Sequence, residues 1–180
     1  MHRHASRTLL SASDLVAFHD CAHLTQLDRR ALDDLELREL RCEDDDHSLL
    51  IQRKGHDFEA RYLAQLEATH GTVVKIQREE YDPEQLAAET LAAMRDGAPI
   101  IYQATLLHED PVGHADFLRR VERPSRLGAW SYEVIDTKLA RSEKPKFVLQ
   151  LCFYSELLAL AQSAEPAAMH VVLGTGDEVS

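Results

Sequence analysis

Along the chain, apolar positions recur in two rhythms, one helical and one alternating. After Ser11-x-x-Asp14, a pair with the form of a capping box, Leu15, Val16, Phe18, Leu24 and Leu27 predict a first helix opening at Ser11 or Ser13. From about Ser48 to His70, Leu49, Leu50, Phe58, Tyr62, Leu63 and Leu66 predict a second helix, stopped by Gly71. Val73 to Ile76 reads as a short strand. Asp82-Pro83 then supplies an N-cap followed by proline at the first helical position, for a helix ending near Gly97. Three apolar-rich runs follow, Ile100 to Leu107, Val112 to Val121 and Trp130 to Leu139. The last two flank the turn-prone residues Glu122 to Gly128 and predict an antiparallel pair. A helix from Pro145 to about Ser163 and a strand from Met169 to Leu173 complete the pattern. Gly174-Thr-Gly176 opens a further element that the remaining residues do not finish. Glu43-Asp-Asp-Asp46 reads as a solvated acidic loop.

The chemistry concentrates between Gly113 and Tyr154. Asp116 stands among Ala115, Phe117 and Leu118, and Asp136 follows Val134-Ile135. Each carboxylate is costly to bury unless it is paired or binds a metal. Side chains alternate along a strand, so Asp136 and Lys138 share a face, and Asp116 reaches that face if the register allows. Two carboxylates converging from neighbouring strands suit a hard cation such as Mg²⁺. Lys138 beside them could orient an attacking water and neutralise charge developing on a phosphate. Gln150 and Tyr154, four apart, lie on one helix face. Taken singly, each group has a plainer reading: Asp136 paired with Lys138 or Arg141, and an ordinary amphipathic helix.

The ordered set Gly113-x-x-Asp116, Asp136-Thr137-Lys138 and Gln150-x-x-x-Tyr154 resembles the RecB-like nuclease domain of the PD-(D/E)XK superfamily, of the kind often fused to a helicase. The resemblance spans nearly the whole chain from Ser11. It implies an α/β fold with a restriction-endonuclease-like core, a mixed central sheet flanked by helices. It also implies a metal-dependent DNA nuclease using Mg²⁺ or Mn²⁺, with Asp116 and Asp136 as metal ligands and Lys138 as the catalytic lysine. Gln150 and Tyr154 match the family's helix motif beside the active site. Such nucleases commonly place a metal-binding histidine or glutamate on the preceding helix. Here Phe58 stands where many relatives have histidine, which favours Glu59 as third ligand with His56 as substitute; a surface acid paired with Arg61 or Arg53 is the alternative. Cys21, within Ser13 to Cys21, resembles the first cysteine of the family's iron–sulfur cluster. Cys42 and Cys152 lie elsewhere and a cluster needs four such ligands, so it is expected only in a longer form. The resemblance accordingly predicts a single domain over 1–180, incomplete at its C-terminus, with a helicase domain or subunit as partner and a role in DNA repair or processing. A non-catalytic DNA-docking or assembly module on the same fold is the alternative.

Composition adjusts this picture in two places. At 180 residues the chain is long enough for one domain with a proper core. It has no run of transmembrane length, no signal-peptide pattern and no disulfide framework, so a cytoplasmic protein without membrane contact is expected. The net charge of −11 is awkward for a partner of DNA. Between 119 and 146 the sign reverses, however: Arg119, Arg120, Arg123, Arg126, Lys138, Arg141, Lys144 and Lys146 face only Glu122, Glu133, Asp136 and Glu143. The arginines among them, Arg141 included, are candidates for holding a phosphate backbone. A solubilising turn is the other reading. His19 and His23, four apart, have zinc-ligand spacing, but no second ligand pair follows at finger spacing.

Overall fold

A computed structural model describes residues 1–42, 45–77 and 81–180. The chain opens with a short antiparallel ribbon, β1 (His2–His4) and β2 (Arg7–Leu9). Three short helices follow: α1 (Ala12–Asp20), α2 (Ala22–Arg30) and α3 (Leu35–Glu39). The remainder runs α4 (Asp46–His70), β3 (Val73–Lys75), α5 (Pro83–Arg95), β4 (Ile100–Leu107), β5 (Val112–Val121), β6 (Ser131–Lys138), α6 (Pro145–Gln162), β7 (His170–Leu173) and β8 (Glu178–Val179).

Strands β3 to β8 form one mixed sheet in chain order. The β4–β5–β6 pairs are antiparallel, while α5 and α6 provide the crossovers that make β3–β4 and β6–β7 parallel. This is an α/β fold. Consecutive strand residues alternate between two core clusters. Ile100, Phe117, Ile135 and Val172 pack with Tyr62 and Leu66 of α4. Ile101, Leu118, Val134 and Val171 pack with Leu86 and Met94 of α5 and with Leu151 and Leu158 of α6. The sheet is therefore buried on both faces, which is why its strands read as near-continuous apolar runs.

The ends of the elements follow the expected chemistry. Asp82 accepts from the Gln85 N–H at 3.1 Å and Pro83 occupies the first turn of α5. Gly71, at φ 77°, ends α4. Three expectations change. Cys21, at φ −158° and ψ 100°, breaks the first helix into α1 and α2, which puts His19 and His23 on separate helices. The acidic run is not simply a loop: Asp45 caps α4, accepting from the Ser48 N–H at 2.7 Å, and Asp46 is its first residue, while Glu43 and Asp44 lie outside the described residues. Gly174 to Asp177 turns β7 back into β8. Gly174 is held tightly there, because a Cβ would come within 2.6 Å of the Leu139 carbonyl oxygen. No described helix is long and apolar enough to cross a membrane.

Candidate active site

The β5–β6 ladder brings two acids to one place. Phe117 pairs with Ile135, and the next residue outward on each strand is Asp116 or Asp136. Past that pair the ladder changes character: the Thr137 backbone N–H and hydroxyl both donate to Asp116 Oδ2, at 2.8 and 2.7 Å. A side-chain carboxylate thus takes a strand amide. Asp136 is 1% exposed. Lys138 Nζ lies 2.6 Å from its Oδ2, yet out of hydrogen-bond alignment, so this buried oxygen has a charge beside it and no aligned donor. Burial, and then the charge of Asp116, push the Asp136 carboxyl up to about 7; Lys138 opposes the shift and Glu59 adds to it.

Gln150 and Tyr154 face this pair from α6. Gln150 Nε2 donates to the Tyr154 hydroxyl at 2.8 Å and makes a long contact of 3.5 Å to Asp136 Oδ1. The Lys138 ammonium also sits 5.8 Å from the centre of the Phe147 ring. Gly113 makes room for the Tyr154 ring: a Cβ there would meet Tyr154 Cδ1 at 2.9 Å and Leu157 Cδ1 at 3.0 Å. The glycine of Gly113-x-x-Asp116 is thus a packing requirement of the helix motif.

The third acid comes from α4. Glu59 is half-buried, and burial followed by the Asp116 charge raises its carboxyl above the ordinary glutamate range. The nearby Tyr102 hydroxyl, a hydrogen bond from Gln103 and the charge of His56 work against that rise. The Tyr102 hydroxyl is pushed up to about 12 by its burial and by the Glu59 charge. His56, one turn before Glu59, is exposed. Compared with known proteins, the chain matches no protein-family model and no curated protein significantly.

Among the described residues, the group whose ligand atoms all lie within 4.8 Å of one another is a different one, His4, Asp82 and Glu84. Its charges have local partners. His4 Nε2 is 3.0 Å from Glu84, Arg7 is 3.5 Å from the same carboxylate, and Asp82 caps α5. The set Glu59, Asp116 and Asp136 is more open and better shielded from water.

The arginines divide into two kinds. Arg119 bonds within the chain, to Glu178 at 2.9 Å and His170 at 3.0 Å. Arg120 stacks 4.6 Å from the Trp130 ring centre and donates to the Gly97 carbonyl at 3.1 Å. Arg123 and Arg126 are exposed at the β5–β6 turn, with Arg123 donating to the Glu165 carbonyl at 3.2 Å. Arg123 is seven residues beyond Asp116, on the order of 20 Å at about 3.3 Å per residue. Arg141, also exposed, follows Lys138 closely in the chain. Cys21 is an exposed free thiol at the α1–α2 junction, and Cys42 and Cys152 are likewise exposed.

Two contributors carry no sequence signal. Gln162 is fully buried at the end of α6, where its amide accepts from Tyr132 N at 2.8 Å and donates to Tyr132 O at 3.2 Å. It fastens α6 to the start of β6, the element pair that presents Gln150 to Asp136. Gln103 is the other, and only its contact with Glu59 reveals it.

Proposed function

We propose that this chain is a metal-dependent nuclease that hydrolyses DNA phosphodiester bonds, on the restriction-endonuclease-like core that the RecB-like resemblance implies. The state of Asp136 carries the reading: a carboxylate at 1% exposure, an ammonium 2.6 Å away, and two further acids acting on it. A purely structural ion pair needs neither Asp116 nor Glu59 nearby, since added acids only raise its cost. The donor set fits a hard divalent cation, because it offers oxygens alone and Asp136 Oδ2 lacks an aligned donor. Asp116, Asp136 and Glu59 would hold Mg²⁺ or Mn²⁺, with His56 the substitute for Glu59. When bound, such an ion lowers the pKa of its water and offsets charge on a phosphate.

The chain's own groups have separable tasks. Thr137 fixes the Asp116 carboxylate by donating twice to one oxygen. Lys138, steadied over Phe147, offers a proton-rich ammonium for orienting water or for stabilising charge that grows on the phosphate oxygens. Gln150, braced by Tyr154, directs its amide at Asp136. Arg123, Arg126 and Arg141 are the exposed candidates for the DNA backbone. Under the same reading the chain is one module of a larger helicase–nuclease in DNA repair or processing, and Cys21 serves an iron–sulfur cluster only in a longer form.

One observation favours a second reading, a non-catalytic module on the same fold: Lys138 already stands against Asp136 as a buried ion pair would. Incubation of the purified protein with single- and double-stranded DNA in Mg²⁺, Mn²⁺ or EDTA decides between them. Metal-dependent cleavage that disappears in Asp136→Asn supports the nuclease. Uncut DNA in every condition, with a melting temperature indifferent to Mn²⁺, overturns it and leaves the second reading.

A further inference from the structure

Strand β4 contains an irregularity directly opposite Asp116. Tyr102 pairs with Phe117 and Ala104 with Ala115, but the intervening Gln103 and Asp116 do not pair. Gln103 has φ 56°, the left-handed region that a side chain in a strand rarely adopts. The sheet changes face at this point. Tyr102 packs against the α4-side cluster, whereas Ala104 and Leu106, two and four residues on, belong to the α5/α6-side cluster. On β5 the same switch separates Phe117 from Ala115.

The consequence concerns Glu59. In a regular strand, successive side chains point to opposite faces. Here Tyr102 packs in the cluster beneath α4, and its neighbour Gln103 donates to Glu59 of the same helix. The left-handed turn at Gln103 is what lets two neighbours face α4, so that Gln103 reaches the Glu59 carboxylate. Strained non-glycine backbone persists where surrounding structure enforces it, and such positions cluster at functional sites.

We infer that the Tyr102–Gln103 kink is a clamp that holds the Glu59 carboxylate in place as a metal ligand, with Gln103 as its positioning residue. The inference rests on the nuclease reading, and it adds a residue that the motif set does not contain. A clamp of this kind fixes one oxygen of the acid through donors so that the other is presented in a defined direction. Residues that orient ligands typically change metal affinity by roughly 10–100-fold when removed.

The test uses the full chain and two readouts, apo melting temperature and Mn²⁺ affinity by calorimetry. Gln103→Ala and Gln103→Gly both delete the amide and differ only in tolerance of the left-handed backbone. Both should bind Mn²⁺ about tenfold or more weakly than wild type. Gln103→Gly should melt above Gln103→Ala, the reverse of the usual order in a strand. Tyr102→Phe should weaken Mn²⁺ binding less, because Gln103 remains. In a Glu59→Ala background, Gln103→Ala should have no further effect on Mn²⁺, since the clamp acts only through Glu59. Wild-type Mn²⁺ affinity in both Gln103 variants, or an alanine variant at least as stable as the glycine one, overturns the clamp while leaving the nuclease reading intact. A wild-type protein that binds no Mn²⁺ removes both.

Discussion

Strand β6 buries two carboxylates three residues apart, Glu133 and Asp136, and they live in opposite circumstances. Glu133 lies 2.8 Å from His170 Nε2. His170 in turn contacts Arg119 at 3.0 Å, Ser180 at 2.7 Å and Glu178 at 3.2 Å, and Tyr62 donates to Glu178 at 3.2 Å. Acids, bases and hydroxyls close on one another there, and the network ties β5, β6, β7, β8 and α4 together. Asp136 has one ammonium without hydrogen-bond alignment, a distant amide, and two acids for company. Complete partnering is what a structural network needs. An excess of one sign in a buried place is what a fold tolerates for a ligand's sake. The contrast on a single strand separates the two roles better than burial does, since both acids are buried.

The comparison breaks most sharply in catalysis. Asp136→Asn should abolish metal-dependent cleavage, and Lys138→Ala should lower it by on the order of 10²-fold or more while Mn²⁺ still binds. Glu133→Ala should leave Mn²⁺ affinity near wild type. A gel assay with labelled DNA, paired with calorimetry, reads both; cleavage that survives Asp136→Asn ends the distinction.

Stability should move the other way round. Glu133→Ala strips a partner from a buried charged network and should cost roughly 3–5 kcal/mol. Apo Asp136→Asn should be as stable as wild type or more so, because it relieves crowding among acids. Chemical denaturation of the apo proteins measures this. An Asp136→Asn protein melting far below wild type would assign Asp136 and Lys138 to structure.

The pH dependence sharpens the same point. An unfolded aspartate titrates near 3.9, whereas burial and Asp116 raise folded Asp136 to about 7. Between those values the native chain holds a proton that the unfolded chain has released. The contribution is therefore complete below about pH 4 and is lost as pH rises through 7. Melting curves of the apo protein should show that decline, and Asp136→Asn should flatten it.

Gly113→Ala is a smaller perturbation. Its Cβ would press on Tyr154 and Leu157, costing roughly 1–3 kcal/mol. The smallest expected effect is at the turn arginines. Replacing Arg123 and Arg126 with glutamine should weaken DNA binding alike for all sequences and flatten its salt dependence by about one unit of slope for each phosphate left unneutralised. An unchanged slope returns these residues to solubility. Arg119→Ala, by contrast, should act on folding, since its partners are Glu178 and His170.

Much of the fold was legible because both sheet faces are covered. The runs Ile100 to Leu107 and Val112 to Val121 are bounded by prolines, glycines and acids, and they coincide with β4 and β5. Asp82-Pro83 and Gly71 mark helix ends by their own backbone chemistry. The β1–β2 ribbon was not legible, because His2-Arg3-His4 has no apolar alternation. Nor was the break at Cys21, where Leu15 to Leu27 keeps an unbroken helical rhythm. Site residues with a motif were visible: Asp116, Asp136, Lys138, Gln150 and Tyr154 occupy one neighbourhood. Gln103, Gln162 and the Glu133–His170 network were invisible, because each depends on a partner distant in sequence. Gln103 lies 44 positions from Glu59, Gln162 lies 30 from Tyr132, and His170 lies 37 from Glu133.

The sequential strand order has a kinetic consequence. The β4–β5–β6 meander joins neighbours in the chain, so its ladders close small loops and can assemble early. Asp116, Asp136 and Lys138 all belong to it. Glu59 arrives only when α4 docks on the opposite face, and Gln150 only when α6 has crossed over to deliver β7. A partly folded chain therefore carries the paired acids and the lysine without the groups that finish the site. On the nuclease reading, competence to cut would be the last property acquired in folding and the first surrendered in unfolding, and immature chains would be harmless to the DNA around them.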